Sequence, residues 1–288
     1  MGVVINTNIS SITASRILSE NRADLEKAME RLASGKRINS ANDDAAGMAV
    51  AAKMRADIRS LNQAVRNTND AISLVNTYDG AAAEIESILI RMRELAVQAN
   101  NGTYEAADRT NADYEYTALK NEITRIAGVS AFNRTTLAQG SSGAAGATGS
   151  SDTSFSFYVG SDVAKTGNTV TFSSKALDLN LAVSASTLNS IVNTTSAGQA
   201  IANLDDAIYE LAANRAQAGA LVNRLEHTVS NLMNVSQRLQ EAVSGIEDAD
   251  YAAESAALAR GMVLAQAGTA MLAQANQAPN FILALLRG

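Results

Sequence analysis

IANLDDAIYELAANRAQAGALVNRLEHTVSNLMNVSQRLQEAVSGI, Ile201–Ile246, decides how the chain folds. Two apolar series run through it at seven-residue spacing. One is Ile201, Ile208, Arg215, Val222, Val229, Ser236 and Val243; the other is Leu204, Leu211, Ala218, Leu225, Leu232, Leu239 and Ile246. Only Arg215 and Ser236 are polar, so 12 of 14 positions form the apolar stripe of a coiled coil. Such a helix needs a partner of similar length. Gly245 ends the stripe, and Asp248 and Asp250 suit the start of another helix.

That last helix contains GMVLAQAGTAMLAQANQAPNFILALL, Gly261–Leu286, with no charged residue over 26 positions. Its length suits a membrane span, but its composition does not. Ala dominates; Gln266, Thr269, Gln274, Asn276, Gln277 and Asn280 fall on every side, Pro279 sits near the end, and flanking Trp or Lys anchors are missing. A helix apolar nearly all round, yet too polar for lipid, needs protein around it. Met1–Ser15 is also free of charged side chains. Two charge-free ends without an internal partner imply a head-to-tail contact that does not close, hence an open polymer. The side chains expected to carry self-assembly are Ile5, Ile9, Ile12, Leu264, Leu272, Phe281 and Leu285.

The heptad's partner lies in the N-terminal half. Ile5, Ile9, Ile12, Leu18, Arg22, Leu25, Met29 and Leu32 follow helical spacing, which predicts a helix from Ile5 to Ala33 capped by Gly35. Ser40 or Asn42 can cap the next helix, and Asp43 and Asp44 favour its N-terminus. From Asp43 to Ala99 apolar or tolerated residues recur every three or four positions with no proline. At 1.5 Å per residue the segment makes a helix of about 85 Å. Thr68, Tyr78 and Ala82 leave its seam imperfect. Asn100-Asn101-Gly102 signals a turn. A third helix is expected from Tyr104 to Ala127, with Ala112, Tyr116, Leu119, Ile123 and Ile126 on one face and Gly128 as its end. Between the helical halves, Phe155, Phe157 and Val159, then Val170 and Phe172, alternate with polar residues as short strands. The segment 136–190 is expected on the surface. The fold class is mainly α: a long antiparallel helical rod or coiled coil, with N- and C-terminal helices paired, plus a small β-hairpin insert.

Composition closes off other functions. The net charge of −6 does not suit nucleic-acid binding. With no cysteine there is neither a disulfide nor a thiolate site. His227 is the one histidine and sits on the outer face of the heptad, so no multi-histidine metal site is possible. Asp43-Asp44 is explained by helix capping, and Glu105, Asp108 and Asp113 by a solvated face. No Gly-rich phosphate loop precedes a helix. The expectation is not an enzyme, with no cofactor and no metal. The N-terminus lacks a secretory signal, so by the usual route the chain would be cytoplasmic.

Four separate blocks carry a resemblance. LASGKRINSANDDAAGMAVA (Leu32–Ala51) and NDAISLVNTYDGAAAEIESILIRMRELAVQANNGTY (Asn69–Tyr104) resemble the N-terminal signature of bacterial flagellin. VSGIEDADYAAE (Val243–Glu254) and MLAQANQAPNFILALLR (Met271–Arg287) are similar to its C-terminal signature. FYVG (Phe157–Gly160) and NTVTF (Asn168–Phe172) are similar to its short β segment.

The resemblance implies the structural subunit of the flagellar filament, extracellular and built for swimming motility. It implies an inner terminal-helix domain (1–42 and 247–288), a helical rod domain (43–135 and 191–246) and a small β-containing insert (136–190). Implied partners are further copies of the chain, a flagellar secretion chaperone, and cap and hook-associated proteins, with neither nucleic acid nor membrane. Export through the flagellar type III apparatus would reconcile an extracellular destination with the missing signal. The vertebrate innate immune receptor is a further implied partner, and the matching positions are Arg91, Leu95 and Glu115. Leu95 also belongs to the apolar series of the second helix. The alternatives are a hook–filament junction protein and a cytoplasmic coiled-coil signalling module. The RELAVQ and IEDADY blocks favour the filament, and a signalling module has no need of charge-free ends.

Overall fold

The computed structural model describes residues 7–137, 153–160, 167–174 and 190–287, with backbone alone over 278–287. In chain order come α1 (Ile9–Ser34), α2 (Ala45–Ala99), α3 (Ala106–Val129), β1 (Ala131–Phe132) and β2 (Thr135–Thr136). Then follow β3 (Thr153–Tyr158), β4 (Thr169–Ser174), α4 (Thr194–Glu247) and α5 (Tyr251–Arg287). The chain divides into two compact units. One is Met1–Ile58 with Gln237–Gly288, the other Arg59–Ser236.

The Arg59–Ser236 unit holds the main core. Its α2 and α4 segments run antiparallel: Arg93 Nε meets Asp205 at 2.5 Å, Arg215 reaches Asp79 at 2.8 Å and also Glu86, and Ser236 Oγ lies 3.3 Å from Asn62 Oδ1. Both polar members of the heptad thus have partners on α2. Val75, Tyr78, Ile85, Leu89 and Met92 from α2 pack with Leu204 and Leu211 from α4 and with Tyr116 and Ile123 from α3. The imperfect seam positions are fully buried: Thr68 returns its hydroxyl to Ala64 O at 2.7 Å, and Tyr78 meets the Phe172 ring edge-on at 5.3 Å. The two heptad series are not equivalent. Leu204, Leu211, Ala218, Leu225 and Leu232 are buried, whereas Ile201, Ile208, Arg215, Val222 and Val229 are half-buried. Ala200, Ala207 and Asn214 are buried beside the first group. Because α3 and a hairpin pack here as well as α2, the deepest line of α4 is centred on the Leu204 series rather than midway between the two.

Both hairpins belong to this unit. β3 and β4 pair antiparallel with Phe155 opposite Phe172 and Phe157 opposite Val170. Val159, Val170 and Phe172 are buried, so this part of the insert is core and not surface, as its alternation alone could not reveal. The β1–β2 hairpin has no hydrophobic alternation to betray it. Its two-residue loop, Asn133-Arg134, takes positive φ at both positions, 49° and 66°, which matches the twist of a tight hairpin.

Helix ends follow side-chain chemistry. α1 starts later than its apolar spacing suggests, at Ile9, because Asn8 Oδ1 accepts the Ser11 N–H at 3.1 Å. Its end is the left-handed Gly35, φ 71°, as expected. The cap of α2 is neither Ser40 nor Asn42, which lie too far before its start at Ala45, but Asp44, whose Oδ1 accepts the Gly47 N–H at 2.8 Å. Glu105 and Asp108 form a capping box at α3, and Asp113 accepts the Ile191 N–H at 2.7 Å. These three acids are therefore structural groups, not merely solvated charges. α3 also runs through Gly128 to Val129 before ending at Ser130.

Candidate assembly surface

α1 and α5 pack antiparallel in the Met1–Ile58/Gln237–Gly288 unit. Their register can be followed from end to end. Asn8 Nδ2 donates to Ala275 O at 2.7 Å; Leu18 touches the Cβ position of Gly268 at 3.1 Å and Leu25 that of Gly261 at 3.5 Å. Arg31 pairs with Glu254 at 2.8 Å, and the Tyr251 hydroxyl donates to Leu32 O at 2.7 Å. The less exposed residues of α5 are Glu254, Leu258, Gly261, Ala265, Gly268, Leu272 and Ala275, alternately four and three apart. Two leucines seven residues apart on α1 thus sit against two glycines seven apart on α5. Small residues let the backbones approach, and the pair closes on little side-chain volume.

The volume is instead turned outward. Ile9 is 64% exposed, Ile12 61%, Val263 66% and Met271 65%. Ile17, Met29, Met262 and Leu264 are exposed as well. The sequence-derived assembly residues therefore separate. Ile9, Ile12 and Leu264 lie on the open face. Leu272 is half-buried on the face toward α1, so it belongs to the pair itself. Ile5 lies outside the described residues, and Phe281 and Leu285 are described by backbone alone. Ile17, Met29, Met262, Val263 and Met271 escape the sequence reading; subtracting the Gly/Ala stripe from the helix would have pointed to them. Among the described residues one segment, Tyr251–Gln277, is long and apolar enough to cross a membrane by length and composition, and no part of its qualifying stretch is buried.

The junction below the pair is polar. Arg37 N donates to Glu247 O at 2.6 Å and Ala249 N to Gly35 O at 3.0 Å, which joins the turn after α1 to the turn after α4. The Glu247 carboxylate, only 5% exposed, accepts from Arg55 at 3.1 Å. Asp43 accepts from the N–H groups of Asn39 and Ser40 and pairs with Lys27 at 2.8 Å. The Lys27 bond first, and the two backbone donors next, hold its carboxyl well below the usual carboxylate range.

In the other unit, Arg91 and Glu115 come together: Arg91 Nε donates to Glu115 at 3.0 Å, and Nη1 to Glu94 at 2.9 Å. Hydrogen bonds to Glu94 and then to Glu115 raise the Arg91 pKa further. Leu95 is 3% exposed and packs in the core, so as a surface contact it is corrected to a core residue. A helical position in the apolar seam is buried whatever motif contains it.

A mainly helical subunit whose paired ends carry an uncovered apolar face defines the class. Residues 5–142 match the bacterial flagellin N-terminal helical region, and residues 201–286 the bacterial flagellin C-terminal helical region. The flagellin of Halalkalibacterium halodurans is 42% identical over 287 residues, which cover 99% of this chain and 100% of that protein. The flagellar filament 33 kDa core protein of Treponema phagedenis is 39% identical, with 99% of this chain and 100% of that protein covered. The crystal structure of Bacillus cereus flagellin is 35% identical with a TM-score of 0.49, covering 58% of this chain and 88% of that one. The chain belongs to the bacterial flagellin family.

Proposed function

We propose that the chain is the structural subunit of an extracellular flagellar filament and polymerises through the outward face of its α1–α5 pair. The observation that carries this is the placement of Ile9, Ile12, Val263 and Met271 in solvent while small residues close the pair internally. A full-length match to filament proteins supports the same reading. Wild-type protein should pellet on ultracentrifugation and show filaments by negative stain. Protein lacking residues 1–30 or 260–288 should stay in the supernatant and keep most of its helical circular dichroism. Filaments from trimmed protein would sink the proposal.

The inner domain would comprise 1–42 and 247–288, the rod 43–135 and 191–246, and the insert 136–190. The Gly35–Ala249 and Arg37–Glu247 bonds, which link the two inner boundaries, support that division. A secretion chaperone covering α5 before type III export, and contacts with cap and hook-associated proteins, are further parts of the proposal. The length of uncovered apolar helix in α5 supports a chaperone. For the vertebrate innate receptor, the exposed Arg91–Glu115 pair is the contact retained. Arg91→Ala monomer should activate reporter cells about tenfold less, the loss of an anchor contributing about 1.4 kcal/mol. An unchanged dose–response curve would remove Arg91 from that role.

A further inference from the structure

The turn between α2 and α3 contains the one Asn-Gly pair of the sequence, Asn101-Gly102. Asn101, Gly102 and Thr103 are exposed, and nothing lies within 4 Å of the position a Gly102 Cβ would take. Among the described residues no acceptor takes the Gly102 N–H.

Two hydrogen bonds bear on the same few atoms. Thr103 N donates to Asn101 Oδ1 at 3.2 Å. That bond draws electron density from Asn101 Cγ and stands where negative charge would grow on Oδ1 if Cγ were attacked. Arg109 Nη2 donates to Asn101 O at 3.1 Å, while its Nε is held by Ala99 O at 2.8 Å. Asn101 O and Gly102 N belong to one peptide unit. A guanidinium on that oxygen withdraws electrons from the nitrogen and makes its proton easier to lose.

We propose that Asn101 is a self-modifying site, converted without an enzyme to aspartate and isoaspartate. Gly102 N loses its proton and attacks Asn101 Cγ. The new bond between them closes a five-membered succinimide. The bond from Cγ to Nδ2 breaks, and Nδ2 leaves as ammonia with the proton. Water then opens the ring at either carbonyl: one opening gives aspartate, the other isoaspartate with an extra methylene in the backbone. Gly102 offers no side chain to block the approach. In the isoaspartate product the free carboxylate forms at the former Asn101 carbonyl, the group that Arg109 contacts at 3.1 Å; in the aspartate product it forms on the side chain that accepts from Thr103 N. Each modified subunit gains one negative charge at this turn.

The test follows the tryptic peptide that contains Asn101, residues 94–109 in wild type and 94–120 in Arg109→Gln, by mass spectrometry after incubation of the full-length protein at mildly alkaline pH. Wild-type protein should show a single mass-unit gain at Asn101, with isoaspartate, and should form it faster than the same peptide free in solution. Arg109→Gln should slow conversion about tenfold, the worth of one charge-assisted hydrogen bond to the reacting unit. Gly102→Ala should slow it sharply by crowding the nitrogen. Conversion no faster in the folded protein than in the free peptide would overturn the proposal, and that comparison needs no variant to fold. An unchanged rate in Arg109→Gln or in Gly102→Ala would overturn it too.

Discussion

Leu225 and Leu18 occupy similar positions in two antiparallel helix pairs and meet opposite kinds of neighbour. Leu225 is fully buried with Ala71, Val159 and Val170 around it. Leu18 faces Gly268, where an added Cβ would stand 3.1 Å from Leu18 Cδ1. The difference extends to each whole unit. The largest fully buried side chains, among them Tyr78, Tyr116, Ile85, Leu89 and Met92, all lie between Arg59 and Ser236. In the terminal unit Leu18 and Ile38 are buried, but Ile9, Ile12, Ile17, Met29, Met262, Val263, Leu264 and Met271 stand in solvent. At roughly 25 cal/mol per Å² of apolar surface removed from water, the first arrangement stabilises a lone subunit. The second leaves most of that free energy to be gained only when further copies cover it. One subunit thus carries a finished core and an unfinished one.

The largest effect is expected from charging the unfinished side. Ile12→Asp places a carboxylate on a face that is 61% exposed in the lone subunit, so the monomer should remain soluble and folded. On assembly that charge becomes buried and unpaired, which costs several kcal/mol. Pelleting should fall to background. Normal filaments at normal yield would show that the face stays wet, and the contrast between the units would lose its meaning. The converse substitution is Leu225→Ala. A buried leucine reduced to alanine costs about 2–5 kcal/mol. Chemical denaturation should move to lower midpoint, while the pelleted fraction under native conditions stays near wild type. If Leu225→Ala abolished filaments without lowering stability, the rod would be doing the assembling.

How much of this is legible in the letters depends on side-chain volume. The Leu204 series announces itself because an apolar residue at every seventh position, large at all but Ala218, marks a helix seam that seeks a partner. The α1–α5 contact uses Gly261, Ala265 and Gly268, which carry no hydrophobic signal against an Ala-rich background, so the inward and outward faces of α5 read alike. Leu272 falls among the expected assembly residues for that reason, although it lies toward α1. The cap at Gly35 is legible because few residues suit a left-handed backbone, whereas α2 takes Asp44 as its cap in place of the expected Ser40 or Asn42. The roles of Asp113 and of the Asn133-Arg134 turn are not, since each depends on a partner distant in sequence or on a φ that letters do not show. Phe155 and Phe172 signal strands, but alternation does not say which face of a hairpin finds a core.

Glycine substitutions sharpen the comparison at smaller amplitude. Around Gly219 of α4 nothing lies within 4 Å of an added Cβ, and its φ is not in the left-handed region. Gly219→Ala should therefore stabilise by about 0.4–1 kcal/mol through the unfolded state. Gly268→Ala offers the same entropic gain, but its Cβ would stand 3.1 Å from Leu18 Cδ1. Since Leu18 is only 7% exposed and has little room to yield, the gain should be cancelled and α5 amides should exchange with solvent faster. Equal stabilisation by both substitutions would mean that the terminal pair is as loosely fitted as an isolated helix surface.

Acid should distinguish the units most gently. Both units contain polar staples, and in the terminal unit Asp43 is one whose titration is displaced. Its carboxyl is held below the ordinary value of 3.8, first by Lys27 and then by the Ser40 and Asn39 N–H groups. A depressed folded pKa means that the ionised form favours the fold. Its contribution is complete above the ordinary value and is lost progressively as pH falls from there toward the depressed one. Asp43→Asn removes the charge at every pH but keeps one oxygen to accept from the turn. The stability difference between wild type and Asp43→Asn should be constant from about pH 7 to about pH 5 and shrink below the ordinary carboxylate range. Amide exchange in residues 36–44 reports it locally, whereas Leu89 and Leu225 in the rod core should be indifferent. Being partly screened by solvent, the pair contributes little, as exposed ion pairs do. A difference that grew on acidification would have the wrong sign for a carboxylate stabilised by Lys27.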